Sequence, residues 1–152
     1  MIDKQLAEFL EAGLAIHLGT RNARFEPNGG RVAAVRVEED GEHLVVYVPN
    51  AVAPPLLADL ESNGQAAIVF CRVADERSCQ IKGTFVAQRP AEDDEQPFVS
   101  GQWNHFRDNL AIIGLPQVMT AAWPMWPCVA VRVKATTLFN QTPGPTAGAK
   151  LT

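Results

Sequence analysis

Hydrophobic and polar residues alternate over most of this chain with the two-residue period of β-strands. The clearest run is near the C-terminus, where Val129, Val131 and Val133 alternate with charged residues. Because successive side chains of a strand point to opposite faces, such a run predicts a strand with one face in a core. Turn signals, such as Asn28-Gly29-Gly30 and Asp40-Gly41, separate the runs. We therefore predict six strands, at residues 14–20, 31–37, 44–48, 66–73, 78–87 and 129–139.

Three other segments carry helix signals. Apolar residues at positions 2, 6, 9 and 10 recur at helical spacing before Gly13, which predicts a helix over residues 3–12. Pro54-Pro55 opens a second, short helix that runs to about residue 61 and is closed by Asn63-Gly64. The acidic run at 92–95 suits the positive end of a helix dipole, and helical character continues with interruptions to about residue 116.

The order of these elements predicts the architecture. Hairpin signals join most consecutive strands, so the sheet is expected to be mainly antiparallel and to close into a β-barrel with flanking helices. No shift in composition marks a boundary, so residues 1–152 are predicted to form a single domain. Its end, residues 139–152, contains Thr142-Pro143-Gly144-Pro145 and is predicted to be an irregular tail.

The charge of the chain argues against several kinds of partner. Its 17 acidic and 13 basic side chains give a net charge of −4, which lacks the basic footprint of a nucleic-acid-binding protein. No stretch of about 18 apolar residues is available to span a bilayer. Asp3, Lys4 and Glu8 lie where a signal peptide would be apolar. We therefore expect a cytoplasmic protein that binds neither nucleic acid nor membrane.

The three cysteines are Cys71, Cys79 and Cys128. Their odd number and the lack of CxxC spacing argue against a zinc site and against a disulfide framework. Cys71 and Cys79 would face each other if the hairpin between them turned near Asp75. A cross-strand redox pair is then open as an interpretation, but two buried thiols are favoured.

Two arginines on the second predicted strand are candidates for anion binding. Arg31 and Arg36 are five residues apart, and an odd separation places two side chains on opposite faces of a regular strand. One guanidinium would then bind an anion while the other lies in solvent. Two solvated charges on an edge strand are an equally good interpretation.

Two other groups of side chains suit a flat heterocyclic ligand. Gln80 and Lys82 share the polar face of a strand, and Gly83 leaves room for a flat ligand or another backbone. Trp123 and Trp126 are each followed by a proline, Pro124 and Pro127, and these prolines would hold the indoles as a wall. The structural alternatives are an ordinary wet sheet face for the first pair and a hydrophobic plug or dimer contact for the second.

Recognisable catalytic motifs are absent from the sequence. There is no GxSxG elbow, no P-loop and no GxGxxG. The histidines His17, His43 and His105 do not have metal-ligand spacing, so no metal site is predicted. No catalytic residue is identified from these patterns.

The motifs taken in order resemble the pyridoxamine 5'-phosphate oxidase-related, FMN-binding split-barrel proteins. The resemblance rests on the strand order, the Arg31–Arg36 strand, the Gln80-Ile81-Lys82-Gly83 strand and the ending Phe139–Pro145, and it covers about residues 10–145. It implies a six-stranded antiparallel split barrel that forms a homodimer, with FMN in a cleft between the subunits. It also implies a flavoprotein that acts as an FMN-dependent oxidoreductase on a small molecule.

The same resemblance implies which residues hold the cofactor. The segment from Arg31 to Arg36 would line FMN, with Arg31 toward the phosphate or the ring edge, beside residues 46–48 of the third strand. Gln80 would meet the isoalloxazine or ribityl chain, with Lys82 nearby. Trp123, Trp126 and Gln141 would form a wall contributed by the other subunit. The implied cofactor-binding residues are Arg31, Val32, Ala33, Ala34, Arg36, Tyr47, Val48, Gln80, Lys82, Trp123, Trp126 and Gln141.

One segment departs from the pattern of the oxidases that this chain resembles. Those enzymes carry a basic pair at the start of the helix after the third strand, where it grips the FMN phosphate, but residues 51–55 here contain no cation. Their basic, histidine-bearing tail is also missing. We therefore do not expect pyridoxamine phosphate oxidation. A split-barrel ligand-binding or sensor module that has lost FMN, or uses a deazaflavin or haem, is the alternative, and a structural dimer without a ligand is a third.

Overall fold

The alternating segments pair into one antiparallel sheet against which the helices pack. A computed structural model describes residues 1–151, which form seven strands and three α-helices. The strands are β1 (Ala15–Arg21), β2 (Pro27–Arg31), β3 (Ala34–Val37), β4 (His43–Pro49), β5 (Gln65–Cys71), β6 (Ser78–Pro90) and β7 (Cys128–Asn140). The helices are α1 (Lys4–Leu10), α2 (Ala53–Asn63) and α3 (Gln96–Ile112), and 3-10 turns at Asp93–Glu95 and Gln117–Thr120 flank α3.

The order of the strands explains why the sheet curls into a split barrel. The order is β2-β1-β5-β6-β7-β4-β3, and every pair is antiparallel. The two edge strands, β2 and β3, are consecutive in the chain and are joined by Val32 and Ala33 alone. The Val32 amide donates to Ile16 O on β1 at 3.0 Å, and the Ala33 amide donates to Tyr47 O on β4 at 2.9 Å. The sheet must therefore bend until its two edges meet.

The prediction of a mainly antiparallel split barrel is confirmed, but the predicted number of six strands is wrong. Segment 31–37 is not one strand, because it leaves β1 and joins β4 at Val32-Ala33. Val32 and Val35 face the barrel core, whereas Ala33 and Ala34 both face a second cluster outside the barrel. The alternation thus slips by one residue inside the segment.

That slip also overturns the prediction that Arg31 and Arg36 lie on opposite faces. Both side chains reach the outer layer formed by α3. The guanidinium carbon of Arg31 lies 5.0 Å from the ring centroid of Phe106, and that of Arg36 lies 4.2 Å from the ring centroid of Phe98. Two strands that meet at a break, rather than one regular strand, place the two arginines on one side.

The Asn28-Gly29-Gly30 signal lies inside β2 instead of marking a turn. The hairpin between β1 and β2 turns at residues 22–26, where the Asn22 amide donates to Glu26 O at 3.0 Å. The glycine at 30 serves packing: a Cβ built there would stand 2.9 Å from Leu56 Cδ1 on α2. The glycine at position 30 is therefore explained by the close approach of α2 to the strand, not by a turn.

The barrel core is filled from both the sheet and the first two helices. α1 contributes Phe9 and Leu10, and α2 contributes Leu56 and Leu60, all of them buried. α2 begins with prolines in its first turn and ends at Gly64, which has a φ of 71°, as predicted. The remaining buried members of this core are Ile2, Leu14, Ile16, Leu18, Val32, Val35, Leu44, Val46, Val48, Ala53, Ala66, Ile68, Phe70, Cys79, Ile81, Val131, Val133, Ala135 and Leu138.

A second, smaller core lies between the outside of the sheet and α3, and we call it the outer core. It is built from Ala33, Ala34, Tyr47, Val99, Met125, Cys128 and Ala130. α3 is a continuous helix, so the predicted interruptions do not occur before Ile112. No helix within residues 1–151 has the length and apolar character needed to cross a membrane.

The register of β5 and β6 decides the arrangement of two cysteines. Phe70 pairs with Cys79, and Cys71 pairs with Ser78, so the two thiols are one residue out of register and point to opposite faces. Cys79 is buried in the barrel core, and this burial raises the pKa of its thiol to about 11. A facing redox pair is therefore wrong. The favoured interpretation of two buried thiols holds for Cys79 but not for Cys71, which is only half-buried, and all three cysteines are free thiols.

The end of the chain returns along β7. Strand β7 extends to Asn140, and Phe139 forms an isolated bridge with Lys150. The Leu151 amide donates to Leu138 O at 2.8 Å. Strand β4 pairs with β7 only as far as Lys134, so the edge of β7 beyond this residue is open. The tail covers part of this open edge.

Candidate functional site

A cavity of about 350 Å³ opens on the outer side of the barrel, next to the break between β2 and β3. Its wall is apolar except for one cation, Arg31. The other lining residues are Pro49, Val52, Trp123, Pro124 and Met125. Small-molecule sites are typically apolar clefts of roughly 300–1,000 Å³ with a few polar groups that orient the ligand. This cavity is therefore a candidate site, and Arg31 and Trp123 in its wall are residues predicted from the sequence.

Arg31 has aromatic neighbours but no acidic partner. Its guanidinium carbon lies 5.0 Å from the ring centroid of Trp123, the same distance as from Phe106. Within residues 1–151 no carboxylate forms an ion pair with it, and its side chain makes no hydrogen bond. Partial burial lowers the pKa of Arg31, although a guanidinium stays charged at neutral pH. A half-buried cation without a counter-charge beside an apolar cavity is suited to bind an anion.

His17 stands next to Arg31 and was not singled out by its sequence context. The two residues are directly opposite each other in the β1–β2 register. Partial burial, and then the positive charge of Arg31, lower the pKa of His17. The sequence gives no sign that His17 belongs to this site, because its spacing from the other histidines matches no metal site. Only the register of β1 and β2 brings His17 next to Arg31.

Five other predicted residues of the second and third predicted strands are buried, whereas Arg36 is half-buried against Phe98 and lies outside the cavity. Val32 and Val48 point into the barrel core, and Ala33, Ala34 and Tyr47 lie in the outer core under α3. None of these five side chains lines the cavity. Their assigned role in cofactor binding stays a prediction.

The exposed edge of β3 is occupied by a side chain of α3. Gln102 Oε1 accepts from the Val35 amide at 3.0 Å, and Gln102 Nε2 donates to Val35 O at 2.7 Å. Both polar groups of this edge residue are thus satisfied, as they would be by a further strand. The contact fixes the middle of α3 over the segment that the resemblance assigns to the flavin.

Replacing Gln102 by alanine is expected to destabilise the protein by about 2 kcal/mol, because two buried backbone groups lose their partners. The midpoint of urea unfolding measures this change, and hydrogen exchange at the Val35 amide is expected to accelerate. Asn104→Ala is the matched control, since Asn104 is exposed on the same helix and has no such contact. Equal stability of the two variants would contradict the role given to Gln102.

The start of α3 is anchored by a buried carboxylate. Glu95 Oε1 accepts from the Tyr47 hydroxyl at 2.7 Å, and Arg89 forms two bonds with the same carboxylate, at 2.7 and 2.8 Å. The hydrogen bonds from Arg89, assisted by those from the Glu92 amide and Tyr47, lower the pKa of Glu95 to about 2 against the opposing effect of burial. Burial and the bond to Glu95 raise the pKa of Tyr47. This network is structural, because it is satisfied internally.

Three predicted residues lie on another part of the sheet. Gln80 and Lys82 are on β6, three strands away from β2 in the sheet order, which corresponds to roughly 14 Å. Lys82 lines a separate groove of about 440 Å³, together with Arg21, Thr84 and Thr136. Gln141 follows β7, where its amide donates to Ser78 O at 2.9 Å. One chain therefore does not bring these residues to the Arg31 cavity.

The tryptophans divide between the cavity and the outer core. Trp123 lines the cavity, and its ring centroid lies 5.7 Å from that of Trp103 on α3. Trp126 is half-buried against the outer core and does not line the cavity. Sequence reasoning found Trp123 but missed Trp103 and Phe106, because the helical stretch gave no sign of which of its faces meets Arg31.

The residues present fit part of a flavin nucleotide. Arg31 and the apolar wall fit a phosphate joined to a flat ring system. The edge of β3 does not fit the ring in this conformation, because Gln102 already takes both polar groups of Val35. A phosphate-bearing ligand could thus enter the cavity, with its ring outside the edge of β3.

Solved structures provide the comparison, since no protein-family model and no curated protein sequence matches this chain. A putative pyridoxamine 5'-phosphate oxidase from Lactobacillus delbrueckii superposes with a TM-score of 0.56 at 12% identity, covering 91% of this chain and 93% of its own. An FMN-binding protein from Syntrophomonas wolfei gives 0.56 at 10% identity, covering 90% and 86%. An F420 reductase gives 0.57 at 15% identity, covering 90% and 98%.

These similarities extend over nearly the whole chain, although few residues are identical. The same curled antiparallel sheet, with flanking helices, accounts for them. The chain therefore has the split-barrel fold of the pyridoxamine 5'-phosphate oxidase-like proteins.

Proposed function

We propose that this protein binds a flavin-type cofactor, FMN, through its phosphate group at Arg31. The observation that carries the proposal is the half-buried guanidinium of Arg31, which has no acidic partner within residues 1–151 and stands at an apolar cavity with Trp123. Two of the proteins with this fold, the FMN-binding protein and the F420 reductase, support the proposal only through the class of ligand in their names. The activity we propose is an FMN-dependent oxidoreduction of a small molecule, other than pyridoxamine phosphate.

The bound flavin would supply the redox chemistry, and the protein would supply binding and position. Arg31 would hold the phosphate, and Trp123 and Pro124 would give an apolar wall for one side of the ligand. Neither the residues nor the geometry identifies a proton donor, so no general acid or base is assigned.

We further propose that the functional unit is a homodimer with the cofactor cleft between subunits. The supporting observation is the distance within one chain: Gln80 and Lys82 are three strands away from Arg31. A second copy would bring its own Gln80, Lys82 and Gln141 to the cofactor. The three free thiols are consistent with the cytoplasmic compartment that we propose for this dimer.

Sedimentation velocity with added FMN, followed at the visible absorption band of flavin, tests the ligand and the assembly together. We expect flavin to sediment with the protein, in a species of twice the 16.5 kDa chain mass. Riboflavin, which lacks the phosphate, is the matched control and is expected to bind at least about tenfold more weakly. Flavin absorption that does not move with the protein boundary would contradict the cofactor assignment. Flavin absorption that moves with a species of the mass of one chain would contradict the dimer.

A ligand-binding or sensor module without FMN is the second candidate function. Two observations favour it: Gln102 occupies the edge of β3, and residues 51–55 contain no cation. This candidate would be supported if FMN failed to bind while a deazaflavin or haem raised the unfolding temperature, because a ligand that binds the folded state stabilises it.

A further inference from the structure

His17, which is charged only when protonated, stands opposite the permanent cation Arg31 on the neighbouring strand, and this pairing has a consequence for ligand binding. The two residues are direct partners in the β1–β2 register, so their Cβ atoms are about 4.5–5.5 Å apart on the outer face of the sheet. Like charges placed opposite each other are unfavourable.

We propose that anion binding at Arg31 is coupled to proton uptake by His17, so that the site takes a doubly charged oxyanion most tightly when His17 is protonated. The proposal rests on the anion site of the proposed function and adds a second residue and a ligand preference to it. Once an anion neutralises Arg31, the repulsion that disfavours a charged His17 is removed. By reciprocity, a charged His17 strengthens the binding of the anion.

The surroundings of His17 leave Arg31 as the dominant charge. On β5, Val69 stands opposite His17, with Ala67 and Cys71 on either side. None of these three residues is a carboxylate or a basic residue. Within residues 1–151 no carboxylate forms an ion pair with His17.

α3 brings one further titratable group, His105, to the start of β1. A Cβ built on Gly13 would stand 2.5 Å from the Cβ of His105, so His105 lies beside the turn that leads into β1. Arg107 is engaged elsewhere, because its Nε donates to Thr120 Oγ1 at 2.9 Å and its Nη2 donates to Gln117 O at 3.0 Å. His105 is thus the group whose titration must be separated from that of His17.

The experiment measures sulfate binding by calorimetry between about pH 8 and about pH 5.5, the range in which histidine changes its charge. Sulfate keeps two charges over this range, whereas a phosphate monoester takes up a proton near pH 6. The pH dependence of sulfate binding therefore reports on the protein. We expect binding about three- to tenfold tighter at the acidic end.

His17→Asn is expected to remove this dependence, leaving the affinity for sulfate constant within about twofold. His105→Asn and His43→Asn are the matched controls and are expected to keep it. Proton NMR of the His17 ring supplies a second readout: saturating sulfate is expected to move its titration to higher pH. An unchanged titration, or a pH dependence that survives His17→Asn, would overturn the inference.

The outcome is separable from that of the proposed function. FMN binding with an unchanged His17 titration would leave the flavin proposal standing and end this one. Sulfate binding that shifts the His17 titration, in a protein that does not bind FMN, would support the coupled anion site and reject the flavin.

Discussion

Replacing Arg31 by glutamine is expected to weaken FMN binding by about 10- to 100-fold. A hydrogen bond to a charged group contributes roughly 1.5–3 kcal/mol, and each 1.4 kcal/mol is a factor of ten. No other cation lines this cavity. The phosphate would therefore lose its only charged partner in the subunit. Fluorescence titration of FMN against the variant measures the change.

Arg24→Gln is the matched control for Arg31→Gln. It alters the net charge by the same amount, but Arg24 is exposed on the β1–β2 hairpin and pairs with Glu26. Wild-type affinity is expected for it. Arg31→Lys keeps the charge but loses the planar fork of donors, so we expect an intermediate affinity. If Arg31→Gln bound FMN as tightly as the wild type, the cavity would not be the phosphate site.

The variant Glu95→Ala is expected to lower the free energy of unfolding by about 3 kcal/mol. It removes the partner of the buried Tyr47 hydroxyl and both bonds to Arg89. Breaking a buried ion pair costs about 3–5 kcal/mol, and the half-exposed guanidinium of Arg89 places this case near the lower end. Urea unfolding at neutral pH measures the loss. Asp94→Asn, in the same turn but exposed, is expected to change stability little.

The same carboxylate predicts a dependence on pH. Its folded pKa of about 2 lies below the ordinary value of 4.5 for an unpaired glutamate. A depressed folded pKa adds stability that is complete above the unfolded value and is lost as the pH falls toward the folded one. The stability difference between the wild type and Glu95→Ala is therefore expected to shrink from about pH 5 to about pH 2. A difference that stays constant over this range would contradict the ionised Glu95 anchor.

Much of the sheet could be predicted from local pattern, because alternation reports burial directly. Residues 132, 134 and 136 of one strand and residues 78, 80, 82 and 84 of another are polar at every second position, which marks the solvent face. Segment 31–37 lacks such marks over Val32–Val35, four apolar residues in a row. The change of face between Val32 and Ala34 could not be predicted for that reason. The prediction that Arg31 and Arg36 lie on opposite faces was therefore wrong as well.

The candidate site could be predicted only in part, because most of its contacts join distant positions. Arg31 and Trp123 were singled out as residue types, and both line the cavity. Gln102 was not singled out, because its partner Val35 is 67 residues away and no motif near Gln102 indicates this contact. His17 was passed over because its importance comes from the register of β1 and β2.

By itself the sequence determined the antiparallel character of the sheet, the first two helices and the candidate cation, since periodicity, caps and charge are local properties. Tertiary structure decided where β2 ends and β3 begins, because each edge strand stops where its hydrogen-bonding partner changes from β1 to β4. It also decided that α3 covers the segment 33–35, because burying Ala33 and Ala34 requires a helix that comes much later in the chain. Contacts between distant positions are chosen by the packing of the whole molecule, and no local pattern encodes them.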